Sequence, residues 1–314
     1  MSSSVTASIV TDQTAIRSAI NAMVPNWCPP GPNALRSVSD IFLDWATIFA
    51  SIWITYRIGV MISVVALLVL GNRQRALANL LHDASHRNLS AHRGVNDWLA
   101  RIFLAPALLN DLHIYRSQHA RHHAWLAHPA SDPDYIPRIT RTGDRWFHAY
   151  FRILLDLPGW TGSLLGHLAS RQLRLQQWAG VLVWWITFEA LIDVVCGTHF
   201  AVLFFALWVV AKSTVFHAVT TFREMIDHYG LEADGIFGNT RETPYLGLLS
   251  CWIHPHHNGY HLTHHLFPDI PYFRLPDAHH TLKQTSLFNR RAIICDSYLT
   301  GAHACVRGWG ARDE

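Results

Sequence analysis

Charged side chains are scarce in this chain. Asp, Glu, Lys and Arg make up 15% of its 314 residues, against about 25% in ordinary globular domains. The surface of a typical soluble enzyme is therefore missing. Paired cysteines are missing too. Cys28, Cys196, Cys251, Cys295 and Cys305 are scattered without a CxxC pair, which speaks against a zinc ribbon and a secreted disulfide scaffold. A net charge of +3 without a basic stripe speaks against nucleic-acid binding. The N-terminus has no basic segment followed by an apolar core, so no signal peptide is expected. Disorder is excluded by what is present: half of the chain is hydrophobic and the mean hydropathy is +0.12.

The apolar residues gather in runs. Ile41–Leu70 is interrupted only by Asp44 and Arg57. Trp178–Val195 and Phe200–Phe216 flank a short break at Cys196–His199. A membrane span needs roughly 20 apolar residues. The last two runs predict a helical hairpin, and the first predicts another, turning near Arg57–Gly59. Trp98–Leu109 is too short to span and is expected to lie in the interface or to pack on protein. Trp178, Trp184, Trp185 and Trp208 are expected at the interface or against lipid. Of 25 Lys and Arg, 13 fall in 71–177 and 8 in 218–314. By the positive-inside rule both segments face the cytoplasm. The expected organisation is an N-terminal leader over 1–38, ending in the Pro-rich 25–32, and one integral-membrane domain over 39–314. Its catalytic segments are 71–177 and 218–282, followed by a tail over 283–314.

Histidine is abundant, with 22 residues. His82 and His86 form H-x3-H. His119, His122 and His123 form H-x2-H-H, and His261, His264 and His265 repeat it. At this histidine content one H-x2-H-H arises by chance roughly 0.1 times per chain, so two copies are not accidental. Spacings of three and four place imidazoles on one helix face. Glu224 and His228 add an i, i+4 pair where the Phe200–Phe216 helix would leave the membrane. Nine neutral imidazoles exceed the needs of one ion. Shared between two, they leave open positions. Zinc has no redox chemistry, whereas nitrogen-rich sites suit iron and copper. Two redox metals beside a membrane point to oxidation of a hydrophobic substrate.

In this order HDASH, HARHH and HLTHH resemble the three boxes of the membrane fatty-acid desaturase and hydroxylase superfamily, the histidine-box non-haem di-iron enzymes. The run from Asn258 through the third box to His279, and Asp132-Pro-Asp-Tyr135, are similar as well. The resemblance extends from about Gly71 to Leu282. It implies an all-α membrane protein with about four transmembrane helices in two hairpins and a cytoplasmic helical cap holding a di-iron site. It implies nine metal ligands: His82, His86, His119, His122, His123, His228, His261, His264 and His265. It also implies two Fe ions, dioxygen as co-substrate, and a separate electron donor of ferredoxin, rubredoxin or cytochrome b5 type with its reductase. Two features depart from the acyl-CoA desaturase branch. The first box is H-x3-H rather than H-x4-H, and Glu224 stands where that branch has Asn. Asp227-His-Tyr-Gly-Leu231 is similar to the matching motif of alkane hydroxylases.

The expected function is desaturation of a fatty-acyl or lipid-like chain by a multi-pass protein, with its active site on the cytoplasmic side of a bacterial inner membrane. Hydroxylation, or alkene-forming decarboxylation, on the same site is the alternative. A non-catalytic metal transporter or sensor is the remote one, since it would put acids or histidines inside the spans. Glu224 is the candidate catalytic carboxylate, as a ligand or a partner of one. Asp83, Asp132 and Asp227 are candidates to support ligands. His254, His256, His257 and His279 crowd the third box without an assigned role.

Overall fold

The computed structural model describes residues 2–29, 31–170, 172–231 and 234–311. Of the tail expected over 283–314, residues 312–314 lie outside the described residues. The chain is all-α in character. Helices used below are α1 Ser2–Met23, α2 Ala34–Ile58, α3 Ser63–Ser85, α4 Leu112–Ala124, α5 Leu175–Cys196, α6 Thr198–Ala211, α7 His217–His228, α8 His261–Leu266 and α9 Leu275–Leu282. Two-residue strands, β1 Arg241–Glu242 and β2 Ile293–Ile294, pair in parallel.

Four helical runs are long and apolar enough to cross a membrane: Ala34–Ile58, Val60–Ser85, Leu175–Cys196 and Thr198–His228. They form the two expected hairpins. Gly59 (φ 111°) ends α2 and Gly197 (φ 88°) separates α5 from α6. Both turns need a positive φ, which glycine adopts without a Cβ penalty.

The chain divides into two compact units. One comprises 33–115 and 154–220 and contains most of the apolar helices. Two of its polar interruptions are paired internally. Asp44 accepts from Arg73 Nη1 at 2.7 Å. Lys212 donates to the Ser163 carbonyl at 2.6 Å and lies 4.5 Å from the Phe216 ring centre. Trp208 is buried and stacks on Trp45, and Trp185 is buried with its indole N–H on the Pro106 carbonyl. These two tryptophans pack within the protein rather than against lipid. In the segment Trp98–Leu109, Leu99, Ala100, Leu104, Ala107 and Leu108 are buried while Trp98 and Ile102 stay exposed.

The other unit comprises 1–32, 116–153 and 221–314. The expected leader contributes α1 to its core. Ile9, Ile16 and Ile20 recur on one helix face and are buried with Phe237, Leu262 and Phe267. Asp12 is buried and accepts from Arg291 Nη1 at 2.6 Å. A second cluster joins Met225, Ile226 and Tyr229 at the end of α7 to Tyr298, Cys305 and Trp309.

Candidate metal centre

Within the second unit, α4, α7 and α8 direct imidazoles at one another. His119 stands one turn before the adjacent His122 and His123 on α4, His228 ends α7, and His261, His264 and His265 make up half of α8. His261 Nε2 lies 2.9 Å from His228 Nε2 and 3.1 Å from His265 Nε2. His122 joins this group, in which one ligand atom from each residue lies within 4.8 Å of every other. Nearby, His123 Nε2 lies 3.0 Å from His119 Nε2 and 3.1 Å from His264 Nε2.

These contacts are not an ordinary hydrogen-bond network. His228 donates its Nδ1–H to the Asn239 carbonyl at 2.8 Å, so the neutral ring presents a lone pair at Nε2. His122 Nδ1 lies 2.9 Å from Asp132 Oδ1 and 3.8 Å from Asp134 Oδ2, which turns its Nε2 to the same purpose. One proton can satisfy only one of the two contacts at His261 Nε2. Nitrogens about 2.1 Å from a shared ion, set at near right angles, lie about 3 Å apart. The observed spacings match that requirement. A carboxylate or a carbonyl on the far ring nitrogen is the usual support of a metal-binding histidine. The residues therefore fit a cation.

The electrostatics agree. Burial, reinforced by the facing His123, His261, His122 and His228, pushes the His265 pKa well below the usual range. Burial also opposes charge on His122, but the Asp132 hydrogen bond and the Asp134 and Asp132 charges outweigh it and raise its pKa.

His82 and His86 belong to the other unit, on and just beyond α3, with ring centres 5.4 Å apart. Glu224 is half-exposed on α7, and Arg223 Nη1 lies 4.0 Å from its carboxylate. Asp227 is buried, 2.6 Å from Arg223 Nη2 and 3.7 Å from His261 Nε2. His254 is buried with Nδ1 3.0 Å from the Tyr298 hydroxyl. His256 and His257 sit in a short 3-10 turn with φ of 56° and 58°. His217 bonds to Ser163 Oγ and the Leu154 carbonyl, and His199 is exposed. The Asn239 carbonyl and Tyr298 were invisible to sequence reasoning, because neither carries a motif or a helical spacing to the boxes.

Comparison with known proteins accords with this arrangement. A family described as Fatty acid desaturase matches residues 59–296. Dihydrorhizobitoxine desaturase of Bradyrhizobium elkanii is 27% identical over 275 residues, covering 79% of this chain and 75% of that protein. The sn-1 acyl-lipid omega-3 desaturase (ferredoxin) of Synechocystis sp. is 24% identical over 284 residues, covering 80% of this chain and 76% of that protein. Histidine boxes, four apolar helices and a match over most of the chain lead to one assignment: the chain belongs to the fatty acid desaturase family.

Proposed function

We propose that this oxidoreductase introduces a double bond into a fatty-acyl or other lipid-like chain, using dioxygen and electrons from a separate carrier. The observation that carries the reading is the convergence of imidazole nitrogens at His122, His228, His261 and His265, with the Asn239 carbonyl behind His228 and Asp132 behind His122. His122, His228, His261 and His265 would hold one iron. His119, His123 and His264 would hold the second, and His82 and His86 are the ligands that the family resemblance adds to make nine. Ferrous iron with dioxygen supplies an oxidant able to remove hydrogen from an unactivated C–H bond.

The chain's own residues do the rest. Asp132 and the Asn239 carbonyl hold their imidazoles in the tautomer that offers Nε2 inward. Burial of His122, His261, His264 and His265 keeps bulk water from the ligands. Glu224, one turn before His228, is the carboxylate proposed to serve the centre from outside the imidazole group. The apolar helices confine a flexible chain so that one carbon is presented to the oxidant, since orientation rather than acid–base chemistry selects the bond. The printed name of the Synechocystis relative supports a ferredoxin-type donor. We place the enzyme in a bacterial inner membrane with its catalytic segments on the cytoplasmic side, in keeping with the Arg-rich segments beyond the spans.

Membranes supplied with labelled C12–C18 acids, a ferredoxin and its reductase test this. The expected product keeps its chain length and loses two hydrogens by mass spectrometry. Gain of one oxygen would make the protein a hydroxylase, a motif-level possibility raised by Asp227-His-Tyr-Gly-Leu231. Loss of one carbon would make it a decarboxylase. Purified protein holding one zinc and no iron would end the oxygen-dependent reading.

A further inference from the structure

We propose that Arg241 and Glu242 form a bracket that positions the metal ligands. The inference rests on the reading of His228, His261, His264 and His265 as ligands. The two residues are all of β1, and neighbouring side chains on a strand point to opposite sides. Each is buried, and each ends on a different ligand-bearing helix.

Arg241 serves α7. Its Nη1 donates to the carbonyls of Ile226 at 3.0 Å and Tyr229 at 2.8 Å, and its Nη2 donates to the Arg307 carbonyl at 3.0 Å. The last carbonyls of a helix have no partner within it. Arg241 therefore ties down the turn that presents His228.

Glu242 serves α8. Its Oε2 accepts the Thr263 backbone N–H at 2.9 Å. Its Oε1 accepts the Thr263 hydroxyl at 2.5 Å and the His279 Nδ1–H at 2.7 Å. Thr263 stands between His261 and His264, so the carboxylate grips α8 in the middle of its ligand sequence. His279, on α9, thereby gains a role as a donor to this carboxylate. The strand itself is anchored. The Glu242 carbonyl accepts from Cys295 N at 2.8 Å, and Thr243 N donates to the Gly259 carbonyl at 2.7 Å.

Burying a guanidinium and a carboxylate is costly unless each is fully hydrogen-bonded. Here each is hydrogen-bonded to an element that carries ligands, Arg241 also to the Arg307 carbonyl and Glu242 also to His279. A displacement of β1 would move His228 and the third-box histidines relative to one another. The bracket thus fixes the separation of imidazoles about 3 Å apart without touching an ion.

Cobalt loading tests the bracket. Full-length protein in detergent, stripped by a chelator, is titrated with Co(II), and the bound metal per chain, its affinity and its visible absorption bands are read. Glu242→Gln is expected to weaken Co(II) binding by about 10–100-fold, the usual cost of losing an outer partner, and to shift the bands of the loaded protein. Thr263→Val removes one donor with little change of shape and is expected to shift the bands the same way with a smaller loss of affinity. Combined with Glu242→Gln it should add little, because both remove one shared bond. If Glu242→Gln fails to fold, Thr263→Val carries the test alone. Wild-type affinity and bands in these variants, with only a lower unfolding temperature, would overturn the proposal. His261→Ala losing cobalt while Glu242→Gln retains it would sink the bracket and leave the metal centre standing. Absence of cobalt binding in the wild type would end both.

Discussion

His122 Nδ1 lies 2.9 Å from Asp132 Oδ1, and both side chains are almost wholly buried. The same carboxylate accepts the backbone N–H of Ala127 at 2.8 Å and of Asp134 at 2.9 Å. Asp132 thus fixes the loop after the second box and the ring inside it. Asp132→Asn keeps the shape but removes the charge that supports the imidazole. It is expected to weaken iron or cobalt binding by about 10–100-fold. Metal titration of the stripped protein measures this, and wild-type affinity would remove Asp132 from the centre.

Acid should release the metal, and the sign follows from the two perturbed histidines. A ligating imidazole must be neutral, so protons compete with metal. His265 resists protonation because burial and its imidazole neighbours disfavour charge. His122 accepts a proton more readily than a free imidazole, since Asp132 and Asp134 outweigh its burial. The metal-free form therefore gains as pH falls, and the gain is felt first at His122. Occupancy is expected to decline from near or above about pH 6.5, the free-histidine value. Iron retained after dialysis between pH 8 and pH 4 reads it out. Unchanged occupancy at pH 4 would contradict ligation by these histidines.

Glu224 and His261 should respond differently. Glu224 is half-exposed beside Arg223, so Glu224→Gln is expected to leave metal content and unfolding temperature near wild type. As a carboxylate serving the reaction, it should cost about tenfold or more in turnover. His261→Ala removes the nitrogen shared by His228 and His265 and should lose metal and activity together. Loss of iron from Glu224→Gln would make Glu224 a ligand, and unchanged turnover would remove it from the site.

The boxes were legible because helix periodicity alone decides that residues three and four apart converge. The two hairpins were legible because apolar length sets a span. What escaped the sequence depends on the path of the chain in space. Asp44 looked like a flaw in an apolar run until Arg73, 29 residues later, met it at 2.7 Å. The stripe Ile9, Ile16 and Ile20 is thin enough that a packed helix read as a polar leader. His228 is held by the backbone oxygen of Asn239, which any residue could supply. Arg241 and Glu242 sit in an unremarkable Asn-Thr-Arg-Glu-Thr stretch, and only tertiary contacts reveal which helices they hold.

Gly259 makes the last of these links testable without removing a polar group. A Cβ built there would lie 2.3 Å from the Thr243 carbonyl oxygen and 3.3 Å from the His254 ring. The Thr243 backbone N–H donates to the Gly259 carbonyl at 2.7 Å, so the two segments cannot separate without losing that bond. Thr243 follows Glu242, and Gly259 precedes His261 by two residues. Gly259→Ala therefore pushes β1 and the start of α8 apart. The expected cost is about 1–3 kcal/mol of stability from overpacking, read by thermal or denaturant unfolding of the metal-free protein. If the spacing of β1 and α8 governs ligation, Gly259→Ala should also weaken Co(II) binding and shift its absorption bands. A less stable protein that still binds cobalt with wild-type affinity and bands would show that α8 tolerates the displacement.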